Sequence, residues 1–422
     1  DEKLLTFDKE DDDDEAPAAE EEQEEEEEEE DRREVLTASK FEAMKKSLSK
    51  KKSTGRQAAG LVRLACQVDD DGEKTTIADP DVRADALAFG CDLLSATTTY
   101  SIEAKVAVKA LVSALSSKTS GTALPLLAAR GLRRLTPCFR DKDMVQKIGS
   151  RLARALVEAW AAASVLDLDE EENEDEDASE ENVRKLQVEA FLRLRELLMH
   201  AARGKDDAYV EMLLRKAYSA FAAKTAVQSA TNANKNRRRA PAVSFVAAGV
   251  ADLYVSSAIS YRLAFGYVRQ LALKVRNAIA DPKKNDSEIL AWRFVHALRV
   301  WCAVATSTSN QNQNHDNHQE KDAPLSPLVF PLCQTLFGAI HVAKRQPKFA
   351  PFQLHCVRAL HALAAKRSLY VPTAHALTTL VDAFLKSGNG GGPDSSKKKK
   401  KKKGQGRPPA GRRGPGPLGL LL

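Results

Sequence analysis

The chain contains 422 residues with a formal net charge of +5, and 43% of its residues are hydrophobic but only 6% are aromatic. This length accommodates two or three ordinary domains or one long repeat array. No apolar run approaches the length of a membrane span, no signal peptide opens the sequence, and the six cysteines form no C-x-x-C pair. These features argue against a membrane protein, a secreted disulfide framework and a zinc site.

The charge is segregated along the chain. Nineteen Asp and Glu residues lie between Asp8 and Glu34, and eleven more lie in the insertion 166–181. Both tracts have too few apolar residues to offset the entropy cost of folding, so this insertion and the N-terminal tail 1–34 are predicted to be disordered. The remaining body is strongly basic, which favours a polyanionic ligand such as nucleic acid. The acidic tracts either solubilise this body or compete with RNA for it.

Helical periodicity extends through almost all of 36–386, where Ala and Leu are abundant and no alternating pattern long enough for a sheet occurs. The predicted helices are 37–50, 56–68, 81–97, 101–118, 122–137, 141–165, 182–203, 207–227, 243–256, 258–280, 286–306, 325–343, 351–366 and 372–386. The remaining residues, 387–422, are rich in Gly, Lys and Pro and are predicted to form a disordered basic tail.

Helix pairs that recur about every 40 residues, without one dominant core, predict an all-α fold of the armadillo or HEAT type, an α-solenoid. A large irregular helical domain is the competing interpretation. In either case the acidic insertion is expected to separate an N-terminal helical repeat region, 35–165, from a second one, 182–386.

Two consecutive helices in the second region carry the strongest patterns. The helix at 258–280 has an apolar stripe with spacings of 4, 3, 4, 3 and 4 residues, which predicts its buried face. The stripe consists of Tyr261, Phe265, Val268, Ala272, Val275 and Ile279. The helix at 286–306 is expected to begin with a capping box formed by Asn285 and Glu288. It is apolar around nearly its whole circumference, so it should be sandwiched between neighbours.

An arginine ridge, Arg262, Arg269 and Arg276, follows the first of these helices with a spacing of seven residues. We expect the ridge at the edge of the buried face, roughly 80° round the helix from the centre of the apolar stripe. Either it braces adjacent helices by pairing with carboxylates or helix C-termini, or it binds RNA phosphates or an acidic partner. The lysines expected to assist binding are Lys274, Lys283 and Lys284.

Catalytic signatures are missing from the sequence, which contains no phosphate-binding loop, dinucleotide-binding motif, zinc-protease motif or nucleophile elbow. His355 and Cys356 are adjacent on a predicted helix and point about 100° apart, which makes them a poor catalytic pair. His315 and His318 have no third metal ligand at a suitable spacing. The sequence therefore predicts no enzyme, no cofactor and no metal site.

Two segments of the second region, YRLAFGYVRQLALKVRNAI and AWRFVHALRVWCAV, resemble the core motif of the nucleolar complex protein 2 family. The segments LSPLVFPLCQTLFGAIHVA and KFAPFQLHCVRALHALA are similar to the next two blocks of that family. The resemblance is strongest in 243–386 and looser in 35–165. The matching motif residues singled out are Tyr261, Phe265, Tyr267, Gln270, Asn277, Trp292, His296, Trp301, Cys302, His355, Cys356 and Arg358.

This resemblance implies a non-catalytic assembly factor of the large (60S) ribosomal subunit, located in the nucleolus and nucleoplasm. Such a factor is a helical scaffold in a nucleolar complex that binds pre-ribosomal particles and supports their maturation and intranuclear transport. The implied partners are nucleolar complex proteins 1 and 3, pre-60S particles and pre-rRNA, with no membrane and no small-molecule substrate. A karyopherin-like or histone-binding helical adaptor is the alternative, although a cargo carrier should present an acidic concave surface, whereas this body is basic.

Overall fold

The computed structural model describes ten stretches of the chain, and all of their regular secondary structure is helical. The described residues are 37–50, 55–67, 80–96, 101–117, 123–136, 142–162, 176–226, 233–255, 259–307 and 325–388. The predicted all-α helical repeat is therefore confirmed. The described residues divide into two compact units, one ending at Ala220 and the other beginning at Phe221. The predicted N-terminal tail 1–34 and nearly all of the C-terminal tail lie outside the described residues.

Unit 1 contains seven described helices and the beginning of an eighth. They are α1 (Ala38–Lys50), α2 (Gly55–Cys66), α3 (Pro80–Ala96), α4 (Ser101–Ser116), α5 (Ala123–Leu135), α6 (Lys142–Ala162), α7 (Glu176–Gly204) and α8 (Asp207–Ala226), within which the division falls. Helices α2, α4 and α6 pack side by side in one layer, and α3, α5 and α7 pack side by side in a second layer. Successive helices thus pair across two layers, as in HEAT-type repeats.

Unit 2 repeats this two-layer arrangement. Its further helices are α9 (Ala233–Val255), α10 (Ser260–Ala280), α11 (Pro282–Ile289), α12 (Trp292–Thr306), α13 (Val329–Ala343), α14 (Ala350–Arg367) and α15 (Ala374–Gly388). Helices α9, α12 and α14 form one layer, whereas α10 and α13 form the other. Two 3-10 turns, Ser326–Leu328 and Pro347–Phe349, lead into α13 and α14.

Neighbouring helices within a layer of unit 2 run in the same direction. The ring of Trp292 near the start of α12 lies 5.3 Å from that of His355 near the start of α14. At the other end, the Arg367 guanidinium donates to the carbonyl oxygen of Ala305, so the two helices keep one register along their length. Arg367 thereby satisfies one of the carbonyls that have no intrahelical partner at the C-terminus of α12.

The acidic insertion does not separate two units as expected. Helix α7 begins at Glu176, so the end of the predicted disordered stretch 166–181 is helical, while 163–175 lie outside the described residues. Beyond the insertion, α7 packs against α5 and α6, which precede it. Thr136 donates to the Glu196 carboxylate at 3.1 Å across this contact. Because these contacts join the chain on both sides of the insertion, the insertion belongs to unit 1.

The helix predicted at 286–306 is in fact two helices. Proline at the first position of α11 starts that helix earlier than expected, because its ring fixes a helical φ where no backbone donor is needed. The chain then breaks at Leu290 and Ala291, where Ala291 is extended with φ −111° and ψ 150°. The predicted capping box is therefore wrong: Asn285 lies inside α11, and its side-chain amide donates to the Asn277 carbonyl at 3.1 Å.

One helical stretch, Ser326–Ala343, is long and apolar enough by length and composition to cross a membrane, which the sequence interpretation had overlooked. Half of this stretch is buried inside the structure. It contains α13, which packs against α10 on one side and α14 on another. Packing between two neighbouring helices therefore explains the apolar composition of α13, which is that of a core helix.

Helices α10 and α13 approach most closely at Gly338. A Cβ atom added there would lie 2.7 Å from Cγ1 of Val275. We expect Gly338→Ala to lower the free energy of unfolding by about 1–3 kcal/mol, the usual cost of overpacking. The control is Gly266→Ala on α10, where an added Cβ meets nothing within 4 Å. That change should raise stability by about 0.5–1 kcal/mol, because alanine is the better helix former.

Urea unfolding followed by circular dichroism measures both effects. Equal stabilisation by the two alanines would show that the helices do not touch at Gly338 in solution.

Candidate nucleic-acid interface

The buried face of α10 is not the face that the apolar stripe predicted. Tyr261, Phe265 and Ile279 are exposed, with 38%, 45% and 41% of their surface accessible. The side of α10 that packs into unit 2 is formed by Ser260, Leu263, Ala264, Tyr267, Val268, Leu271, Val275 and Ala278. This face has the same 4-3 spacing but is rotated from the predicted one, with which it shares Val268 and Val275. Helix α13 approaches most closely at Val275, opposite Gly338.

The arginine ridge consequently lies on the outside of α10. At about 100° per residue, Arg262, Arg269 and Arg276 lie roughly 160° round the helix from the centre of the buried face, and all three are exposed. The expected position at the edge of the buried face is therefore wrong. The ridge points away from the buried face of α10, which leaves the guanidinium groups of Arg269 and Arg276 open to a ligand, whereas Arg262 already has a contact within the structure.

Two carboxylates near the ridge, those of Asp286 and Glu288, pair with other basic residues. Asp286 lies 3.2 Å from Arg345, which also donates to the carbonyl oxygens of Ala278 and Ile279 near the end of α10. Among the described residues, neither Arg269 nor Arg276 has an ion pair or a hydrogen bond from its side chain. The bracing interpretation therefore finds no support at these two arginines.

The three assisting lysines differ in position. Lys274 is partly buried on α10 and lies 3.3 Å from the Glu288 carboxylate on α11. This contact ties α11 to α10 and engages the positive charge of Lys274. Lys283 and Lys284 belong to the first turn of α11, but their side chains lie outside the described residues.

An exposed aromatic pair accompanies the ridge. The rings of Tyr261 and Phe265 stack with a centroid distance of 6.1 Å and an interplanar angle of 24°. Proteins that bind single-stranded nucleic acids commonly place exposed aromatic rings beside arginines. The bases stack on the rings, while the cations bind the phosphates. The sequence interpretation had assigned this pair to the core, since periodicity alone does not distinguish the two apolar sides of α10.

Several family-motif residues instead form the core of unit 2. Trp301 is fully buried, with its ring 5.1 Å from Tyr254 of α9 and 5.3 Å from Tyr267 of α10. Cys302 and Cys356 are also buried, and burial raises the pKa of both thiols, so they remain protonated at neutral pH. These three motif residues therefore contribute packing and not chemistry.

A second group of motif residues lies on the outer face of the α9–α12–α14 layer. Trp292 is half-buried, its ring stacked on His296 at 5.8 Å and edge-on to His355 at 5.3 Å. The pKa of His296 is lowered to about 4, mainly by burial and to a smaller extent by the nearby Arg299 and His355. The pKa of His355 is also lowered, mainly by burial and then by the nearby charges of Arg299 and Arg358. Both imidazoles are therefore neutral at pH 7.

The remaining motif residues are spread over α10 and α14. Gln270 is partly buried on α10, while Asn277 is exposed near the end of that helix, where its carbonyl accepts from Asn285. Arg358 is exposed on α14, one turn beyond His355. The motif thus combines core residues with two separate groups of surface residues.

The depressed pKa of His296 predicts a pH effect on stability. In the unfolded state the His296 imidazole takes up its proton near pH 6.5, whereas in the folded state it does so only near pH 4. Stability should therefore fall as the pH is lowered between these values, with a contribution from His296 of up to about 3 kcal/mol. Urea unfolding of wild type and His296→Phe at pH 7 and pH 4.5 isolates this contribution, because the carboxylates are common to both proteins.

We expect the His296→Phe variant to lose less stability than wild type on acidification. Equal losses in the two proteins would mean that His296 takes up its proton at the same pH in the folded and unfolded states.

No group of three or more His, Cys, Asp or Glu side chains in the described ranges could hold a metal ion. The described surfaces instead offer arginines, partly exposed aromatic rings and neutral imidazoles. Together with the two-layer helical units, these features define an all-α repeat protein with basic residues on its outer surfaces.

Residues 208–406 match the model of the Noc2p family. This match confirms the resemblance to the nucleolar complex protein 2 family over that part of the chain. The match begins at the start of α8 and includes all of unit 2 as far as α15, whereas the looser likeness suggested for 35–165 lies outside it.

Individual relatives are similar over shorter segments. A fission yeast (Schizosaccharomyces pombe) protein described as an uncharacterised NOC2 family protein is 26% identical over 180 residues, which are 42% of this chain and 24% of the relative. Nucleolar complex protein 2 of Drosophila melanogaster is 28% identical over 134 residues, 31% of this chain and 16% of the relative.

Nucleolar complex-associated protein 2 of Arabidopsis thaliana is 28% identical over 126 residues, 29% of this chain and 15% of the relative. The chain therefore spans about a quarter or less of the length of these relatives. Their names associate the family with the nucleolus.

Proposed function

We propose that this chain is a non-catalytic scaffold segment of an assembly factor for the large (60S) ribosomal subunit, acting in the nucleolus and nucleoplasm. The observation that carries the proposal is the Noc2p family match over 208–406. Nucleolar complex proteins 1 and 3 are the proposed protein partners, and pre-60S particles with their pre-rRNA are the proposed cargo.

Several features of unit 2 suit a scaffold that contacts RNA. Two-layer helical repeats present long outer surfaces to large partners. The outer surface of α10 carries three exposed arginines and an exposed aromatic pair. A basic surface of this kind attracts pre-rRNA through its phosphates, whatever the sequence of the RNA.

The absence of a chemical step in this proposal agrees with the state of the described nucleophiles and bases. The thiols of Cys66, Cys302 and Cys356 are buried, and burial raises their pKa values, so none of them is a thiolate at neutral pH. The family name also describes a complex and not a reaction. Binding and positioning of partners are therefore the proposed activity.

Affinity purification of the tagged chain from nucleolar extract tests the proposal, with RNA and protein identified separately. We expect enrichment of large-subunit pre-rRNA, large-subunit ribosomal proteins and nucleolar complex proteins 1 and 3. Recovery of core histones or import cargo without pre-rRNA would instead identify the histone-binding or karyopherin-like adaptor. An RNase-treated sample shows which proteins bind the chain directly.

A further inference from the structure

Three consecutive packed helices of unit 2 lack any acidic residue. The described residues 289–307 and 325–381, which include α12, α13 and α14, contain no Asp or Glu. The same residues contain eight Lys and Arg. The three acidic side chains of the intervening sequence lie within 316–322, outside the described residues. Basic residues on these three helices therefore find no carboxylate partner within α12, α13 or α14.

Two of the arginines in this acid-free region have evident structural roles. Arg367 donates to the Ala305 carbonyl at the end of α12, and Arg345 donates to carbonyls at the end of α10 while pairing with Asp286. Cations at helix C-termini stabilise the helix through its dipole. The positive charges of Arg345 and Arg367 are therefore already engaged by contacts within the protein.

Arg299 and Arg358 have no such contact. Both are exposed, and among the described residues neither has a salt bridge or a side-chain hydrogen bond. They lie on α12 and α14, which run in parallel in the same layer. Burial first, and then the nearby charge of Arg358, lower the pKa of Arg299. Two like charges placed together without a counter-charge favour the binding of an anion between them.

The surroundings of this arginine pair are pre-ordered. One turn before Arg299 on α12 lies His296, and two turns before it lies Trp292, whose ring stacks on His296 and also contacts His355 of α14. This aromatic cluster fixes the relative position of the two helices from which the arginines project. A neutral imidazole such as His355 can also donate one N–H to a bound oxygen.

We propose that Arg299 and Arg358, with His355 beside them, form a binding site for a phosphate of an RNA backbone. Guanidinium groups suit this ligand because their planar forks bind phosphate oxygens in pairs. The inference rests on the proposed function for RNA as the ligand, but it assigns a site separate from the α10 ridge. The ridge lies on the α10–α13 layer of unit 2, and this arginine pair lies on the α12–α14 layer.

RNA binding by the full chain tests this site. Fluorescence anisotropy with an unstructured oligouridine is measured at several salt concentrations for wild type and for Arg299→Gln/Arg358→Gln. Losing two phosphate contacts should weaken binding roughly tenfold and reduce the salt slope by about 1.4. The control, Arg130→Gln/Arg151→Gln, removes two exposed charges from unit 1 and should change neither quantity appreciably.

A second variant keeps the positive charges. Arg299→Lys/Arg358→Lys should retain the salt slope while lowering affinity a few-fold, because lysine cannot bind phosphate through a planar fork. Proton NMR of the histidines adds a local readout: a bound phosphate should raise the pKa of His355 in wild type but not in the glutamine variant.

Three outcomes would overturn the site. The first is a folded glutamine variant with the salt slope of wild type. The second is equal losses in this variant and the unit 1 control, which would reflect net charge only. The third is a pKa response of His355 to inorganic phosphate or polyglutamate but not to RNA, which would assign another anion. Because purified chain and generic RNA are used, these results are independent of whether the chain enters pre-60S particles.

Discussion

Replacing Trp301 by alanine is expected to lower the free energy of unfolding by about 3–5 kcal/mol, the cost of removing a fully buried aromatic side chain. Trp301 is 0% exposed and contacts Tyr254 and Tyr267. These residues belong to α9, α10 and α12, so one indole joins both layers of unit 2. Total stabilities are only about 5–15 kcal/mol, so this loss would be a large part of the whole.

The matched control is Trp292→Ala on the same helix. Trp292 is half-buried and contacts the rings of His296 and His355 on the outer face. Its truncation should cost less than that of Trp301, roughly 2–3 kcal/mol, because part of the Trp292 ring already faces solvent. Guanidinium unfolding of both variants provides the comparison. If Trp292→Ala were the more destabilising change, the core of unit 2 would have to lie on the other side of α12.

Much of the fold follows from local patterns in the sequence. Helix positions were predicted to within a few residues for most elements, because apolar spacing and proline breaks act locally. Which helices share a layer does not follow from such patterns. It depends on contacts between helices that are not adjacent in sequence, such as α12 with α14 or α5 with α7. The composition of the acidic insertion therefore predicts a boundary between two helical regions, although helices on its two sides pack against each other.

The orientation of α10 illustrates a second limit. Both the predicted stripe and the true buried face have 4-3 spacing, because α10 is apolar around more than half of its circumference. Large aromatic residues made the stripe of Tyr261 and Phe265 look like the core. Tertiary packing selected a face rotated from the stripe that shares only Val268 and Val275 with it, and the glycine at position 338 lets α13 come close to Val275.

The Arg299–Arg358 site was also missed, although the sequence contains a signal for it. Asp and Glu are absent from the described parts of 289–381, and this depletion is visible without a structure. What the sequence does not show is that Arg299 and Arg358 project from parallel neighbours. Their proximity results from the register of α12 and α14, which the contacts of Trp292 and Arg367 set.

Replacing Arg262, Arg269 and Arg276 together by glutamine is expected to reduce the salt slope of oligouridine binding by up to about two units, since about 0.7 unit is lost per phosphate contact with a single strand. The helix should persist, because the helix propensities of arginine and glutamine are nearly equal. The control removes three exposed arginines from unit 1, with Arg130, Arg151 and Arg203 changed to glutamine.

The structure makes the alternative role of the ridge testable in the same experiment. If the arginines braced neighbouring helices, the triple variant would unfold at lower denaturant concentration. Arg269 and Arg276 have no side-chain partner among the described residues, and Asp286 and Glu288 pair with other cations. Any loss of stability should therefore come from Arg262, which has a contact of its own, and Arg269→Gln/Arg276→Gln should keep the stability of wild type while the salt slope falls. A folded triple variant with the RNA affinity of wild type would leave RNA binding to other surfaces, the Arg299–Arg358 site among them.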